Sequence, residues 1–165
     1  MTTAEMAEVL RQHYIEDVTR KQPEAVSLLN EAAAERSRIK TRLFRLALVL
    51  MTLHRKESDD ARLAEVILNL EQFTYPNSSN QSVPFAMALG AATDDLSELI
   101  SLAQNRETEG PGKTPTWARH WLAEIGIDES NALRAATFAL YWLDEIILAS
   151  NIVDECQKKL NVLGG

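Results

Sequence analysis

The chain has 165 residues, 45% of them hydrophobic and 25% charged, with one cysteine and a net charge of −7. That length suits one hydrophobic core, so a single domain over 1–165 is expected. One cysteine excludes an internal disulfide and a cysteine-based zinc site, and the acidic balance disfavours binding DNA or anionic membrane over the whole surface.

Residues 3–20 read as an amphipathic helix. Met6, Leu10, Tyr14 and Val18 recur every four residues, with Glu5, Glu8, Arg11 and Asp17 off that stripe. Pro23 suits the first turn of a second helix, expected over about 24–56. Ile39, Leu43, Leu46, Leu50 and Leu53 form one apolar stripe there, and Phe44, Leu48 and Met51 a second. Together they predict a buried central helix over 43–53. An unbroken helix over 24–56 would be about 50 Å long, so a break near 30–36, or projection onto a partner, is expected.

Ser58 reads as the N-cap of a third helix, with Asp59 and Asp60 in its first turn. Leu63, Val66, Ile67, Leu70 and Phe73 face inward, and Pro76 ends it. Residues 76–83 read as a flexible loop. Pro84 opens a short helix to Gly90, and Thr93 caps another to Gln104, with Leu96, Leu99, Ile100 and Ala103 inward. Residues 105–114 read as a second flexible loop. Thr114-Pro115 opens a short helix carrying Trp117, Trp121, Leu122 and Ile125, closed by Gly126.

Asp128 caps the last helix, expected over 129–160. Two apolar stripes run along it: Leu133, Ala136, Leu140, Leu143 and Ile147, and then Phe138, Trp142, Ala149, Ile152 and Cys156. Arg134, Thr137, Tyr141, Asp144, Asn151, Glu155 and Lys158 make the polar stripe between them. No segment alternates with period two, and none repeats. The fold class is therefore all-α, a single-domain bundle of six or seven helices, two of them long.

The charge divides unevenly. Residues 1–83 hold 11 Lys+Arg and 12 Asp+Glu; residues 84–165 hold 6 and 12. Arg36, Arg38, Lys40, Arg42 and Arg45 concentrate positive charge on the second helix. Arg38, Arg42 and Arg45 share a face and could grip phosphates, so they are candidate anion or nucleic-acid contacts. The alternative is a solvated stripe paired with acids such as Glu31 and Glu35, since no aromatic residue interleaves to stack bases.

Glu5 with Glu8, Glu57 with Asp60, and Asp95 with Glu98 each place two carboxylates on one helix face, where Mg²⁺ and a phosphate could bind. This spacing is similar to the paired acidic motifs of all-α nucleotide pyrophosphatases of the MazG type, with different intervals between pairs. His13, His54 and His120 lack the partners of a helical metal site. Cys156 follows an apolar stripe and reads as a buried thiol. No nucleophile elbow, phosphate loop or dinucleotide fingerprint occurs, so no cofactor or metal is expected.

Glu145 falls on the apolar side of the last helix, with Trp142 and Ala149. A carboxylate there must be paired, protonated or at an interface. Arg134 or an arginine of the second helix is the expected partner, and a partner-facing acid the alternative. Trp117 and Trp121, one turn apart, either anchor their helix in the core or bind a partner. Trp117, Trp121 and Glu145 are the candidate partner-binding residues.

Residues 1–20 lack the apolar run of a signal peptide, and the stretch Leu43 to Leu53 is about half a bilayer span. A cytoplasmic protein without membrane contact is expected. The favoured function is a non-enzymatic helical interaction module or complex subunit, self-associating through its long helices. The alternatives are a nucleic-acid-associated factor using the basic stripe, and a metal-dependent hydrolase or small-ligand enzyme built on helix-borne carboxylates.

Overall fold

The computed structural model describes residues 1–17, 31–74, 79–104, 116–124 and 132–163. Among them every regular element is helical, as the periodicity predicts. The α-helices are α1 (Thr3–Leu10), α2 (Glu31–Lys56), α3 (Arg62–Thr74), α4 (Ser79–Gln104), α5 (Thr116–Glu124) and α6 (Ala132–Leu163). Pro23, Asp128, Gly126 and the expected loop at 105–114 lie outside the described residues.

A capping box starts α1. Thr2 Oγ1 accepts from the Glu5 N–H at 3.1 Å, and the Glu5 carboxylate accepts from the Thr2 N–H at 2.7 Å. These bonds hold the Glu5 carboxyl below its usual range. The helix continues as a π-helical turn, Arg11–Ile15, and ends there; residues 18–20 of the expected helix lie outside the described residues. The turn has a geometric use. Residues four apart drift by about 40° around an α-helix, so a strict four-residue stripe slowly turns away from its core. The wider π turn counters that drift. Met6, Leu10 and Tyr14 are all fully buried.

α2 and α6 run parallel at the centre. Phe44 lies beside Trp142, Arg45 beside Glu145, and the Lys56 ammonium beside the Asp154 carboxylate. α1 packs against α3 and α6, α4 against α2, and α5 against α6. This explains why α2 is apolar around most of its circumference from Phe44 to Leu53. Leu46, Leu48, Val49, Leu50 and Leu53 are all buried there. The apolar stripe does not reach the start of the helix, because Ile39 is 57% exposed.

α3 begins later than expected. Asp60, not Ser58, caps it: its Oδ1 accepts from the Arg62 N–H at 3.2 Å, and its carbonyl accepts from the Leu63 N–H at 3.0 Å. The Asp60 carboxylate also accepts from the Arg62 guanidinium and from Gln157 on α6. The Arg62 bonds, foremost, hold the Asp60 carboxyl below its ordinary range. A depressed carboxyl stabilises the fold above the unfolded value near 3.9, and that contribution fades as pH falls through the folded value. Asp60→Ala is expected to cost about 1 kcal/mol at neutral pH, with the deficit shrinking below about pH 4 in urea melts.

α4 corrects two expectations. Residues 79–83, read as part of a loop, open this helix, and the expected break between Gly90 and Thr93 is absent. Thr93 is no cap. Its hydroxyl donates to the Leu89 carbonyl at 2.9 Å, and the Ser97 hydroxyl to the Thr93 carbonyl at 2.9 Å. Both hydroxyls are satisfied inside a continuous helix, which removes the local reason to end it there. Gly90 faces open space, so nothing near it demands a turn. Leu96 and Leu99 point inward as expected.

α6 buries most of one of its two apolar stripes and leaves members of the other exposed. Ala135, Phe138, Trp142, Glu145, Ala149, Val153, Cys156 and Leu160 are buried, whereas Leu140 is 44% and Ile147 62% exposed. Leu143 of the leucine-richer stripe is half-buried against the core, and the stripe with Glu145 faces the core. With both stripes apolar, Arg134–Leu160 is long and apolar enough to cross a bilayer by length and composition alone. An inspection for unbroken apolar runs misses this, because Asp144 and Glu145 interrupt the sequence. Here the segment forms the core wall on which α1, α2 and α5 pack.

Candidate functional site

The central parallel pair brings Arg45 and Glu145 face to face. Arg45 is 1% and Glu145 3% exposed, and Arg45 Nε lies 3.8 Å from Glu145 Oε2. The π turn of α1 supplies a third member, Tyr14, whose hydroxyl donates to Glu145 Oε2 at 2.8 Å. Tyr141, one turn before Glu145, is the fourth. Arg45 Nη2 donates to its hydroxyl oxygen at 3.3 Å, and Nη1 donates to the Asp17 carbonyl at 3.2 Å. The guanidinium also sits 5.8 Å from the centre of the Tyr14 ring. Three helical elements thus converge on one polar centre, linked by the bonds of Tyr14 to Glu145 and of Arg45 to Tyr141. Arg45 Nε reaches no acceptor at bonding distance.

Burial, reinforced by the Glu145 carboxylate, pushes the Tyr141 phenol above its usual range, although Arg45 pulls the other way. Tyr141 therefore stays protonated and neutral at physiological pH. The centre holds one cation, one carboxylate and two phenols; Tyr14, Arg45 and Glu145 are buried, and Tyr141 is half-buried. This arrangement orients side chains from three helical elements against one another.

Glu145 thus pairs with an arginine of the second helix, as one expected reading had it, and Arg134 is not that partner. The same contact dismantles the basic stripe. Arg45 is buried, Arg38 pairs with Glu35 at 2.7 Å, and Lys40 stands 5.1 Å from the centre of the Trp121 ring. Arg42 is exposed, and the side chain of Arg36 lies outside the described residues. Arg38, Arg42 and Arg45 do line one shallow indentation, but Glu16 and Asp17 line it too. The face that looked uniformly basic is mixed in sign.

Trp117 and Trp121 are buried in the core. Trp121 meets Phe44 at 4.9 Å, Phe138 at 4.8 Å and Trp142 at 5.6 Å between ring centres, and its Nε1 donates to Ser37 Oγ at 3.3 Å. Trp117 meets Phe44 at 5.3 Å. The indole N–H groups of Trp117 and Trp142 are buried without an acceptor among the described residues.

The carboxylate pairs do not converge. Glu5 serves the α1 cap, Glu8 accepts from Arg11 and Gln12, Glu57 stands 3.6 Å from His54, and Asp60 binds Arg62. Asp95 is half-buried, and burial raises its carboxyl. His13 and His120 are exposed. Among the described residues no three His, Cys, Asp or Glu side chains are placed to hold a metal ion. Burial raises the Cys156 thiol and makes it a poor nucleophile.

Tyr14 and Tyr141 are the members of the polar centre that sequence reading missed as such. Tyr14 sits on an apolar stripe, and only its hydroxyl marks it as a donor in need of a partner. Tyr141 was placed on the polar stripe; its position one turn before Glu145 was the available signal. No family model matches the chain, and neither does any curated protein sequence or solved structure.

Proposed function

We propose that this chain is a non-enzymatic helical interaction subunit that self-associates through its long helices. One observation carries the reading: two large apolar side chains, Leu140 and Ile147, stand exposed on the outer side of α6. Leu140 and Ile147 lie seven residues apart, about two turns, and both are exposed on a 32-residue helix whose opposite stripe already forms the core. Large apolar side chains aligned on one outer stripe gain by being covered.

The competing readings lose support on specific residues. A phosphate-gripping stripe needs Arg45 at the surface, and Arg45 is buried against Glu145. A hydrolase built on Glu145 needs that carboxylate open to a ligand, and it is enclosed by Tyr14 and Arg45.

Sedimentation equilibrium across the micromolar range tests the proposal. A dimer or higher species should grow with concentration. Ile147→Glu should shift the chain to monomer while changing stability by no more than about 0.5 kcal/mol, as a surface substitution does. A monomer at every concentration refutes the proposal.

A further inference from the structure

The corner joining α2 to α3 grips the last turns of α6. The Asp60 carboxylate accepts two bonds from the Arg62 guanidinium, Nε to Oδ1 at 3.0 Å and Nη2 to Oδ2 at 2.9 Å. That fork fixes the guanidinium plane and leaves Nη1 to donate to the Leu160 carbonyl of α6 at 3.3 Å. Leu160 lies in the last turn of α6, where carbonyls run out of intrahelical donors. A cation at that end also complements the helix dipole. Gln157 Nε2 donates to Asp60 Oδ2 at 3.3 Å, and the Lys56 ammonium pairs with the Asp154 carboxylate. The corner therefore reaches Asp154, Gln157 and Leu160, spaced three residues apart along one face of the helix.

The apolar hold on the same stretch is thin. Earlier in α6, Phe138 and Trp142 anchor the helix with large aromatic side chains. Beyond Ile152 the buried side chains are Val153, Cys156 and Leu160, about one per turn and none aromatic, while Glu155, Lys158 and Lys159 are exposed. Segments with few buried apolar contacts open at a lower free energy than the core around them. The geometry points to a latch: the 56–62 corner holds the end of α6 shut, and when its contacts part, residues 153–160 open locally and bare the Cys156 thiol while the rest of the bundle stays folded. Asp60 is the positioning residue, because it aims Arg62 and anchors Gln157 at once. The latch needs no second copy, so it stands or falls apart from self-association.

Cys156 is the one cysteine of the chain, so its alkylation by iodoacetamide in the full chain reports this opening. The rate is read by mass spectrometry across a urea series below the unfolding transition. A locally opening end exposes little surface, so the rate should be nearly flat in urea. Arg62→Met should raise that flat rate about tenfold, the loss of one charge-assisted bond. Arg55→Met removes a neighbouring exposed charge of α2 and should leave the rate unchanged. A rate that climbs with urea at the slope of global unfolding overturns the latch, and so does a rate that Arg62→Met leaves unchanged. An equal rise with Arg55→Met overturns it too, because local charge and not the corner contacts would then control access to the thiol.

Discussion

Arg45→Met should cost about 3–5 kcal/mol of stability, because it leaves a buried carboxylate without its counter-charge. Glu145 is 3% exposed, and water cannot replace the lost guanidinium without opening the core. Tyr14 continues to donate to Glu145 Oε2, so one hydrogen bond survives the substitution. Glu145→Gln in the same chain removes the charge and keeps an oxygen acceptor for Tyr14. The double variant should therefore recover at least about 2 kcal/mol of the loss. Urea unfolding of the wild type, both single variants and the double variant gives the coupling directly. A loss within about 1 kcal/mol for Arg45→Met, the size of an exposed pair, would show that the charges are not mutually dependent.

Trp121→Ala should cost about 3–5 kcal/mol, as truncation of a fully buried aromatic does. Trp121 is the hub of the aromatic cluster, touching Phe44 of α2 and Phe138 and Trp142 of α6 from its place on α5. α5 has nine residues and holds its place through Trp117, Ala118, Trp121 and Leu122, all buried. Removing the more deeply buried of the two tryptophans leaves too little contact to hold so short a helix. Trp121→Phe keeps a ring in the cluster and gives up the bond to Ser37, so its loss should be smaller, about 1–2 kcal/mol. Thermal melts followed by circular dichroism separate the two. Equal losses for Ala and Phe would locate the contribution in the indole hydrogen bond and not in ring packing.

The helical periods were legible where one face alone is apolar. Met6, Leu10 and Tyr14 on α1, and Leu63, Val66, Ile67 and Leu70 on α3, are buried as their spacing predicts. Legibility failed where two apolar stripes share a helix. On α6, hydropathy alone favours burying Leu140 and Ile147 over a stripe containing Glu145. The opposite holds because Arg45, 100 positions away, compensates that carboxylate. No local pattern records such a partner. The same long-range pairing hid the fate of the basic stripe: Arg38, Arg42 and Arg45 share a helical face by spacing, yet one turn separates a buried arginine from an exposed one. Thr93 failed for a different reason. A threonine before two aspartates looks like a cap, but its hydroxyl is equally satisfied by the carbonyl one turn back.

Tyr14 and Glu145 stand 131 positions apart, and Arg45 and Tyr141 stand 96. The polar centre therefore forms only when most of the chain has closed on itself. Helices can form early from local contacts, but until α1, α2 and α6 meet, a charged arginine and a charged glutamate must stay hydrated. That requirement opposes premature collapse of the central pair and places its desolvation late in folding.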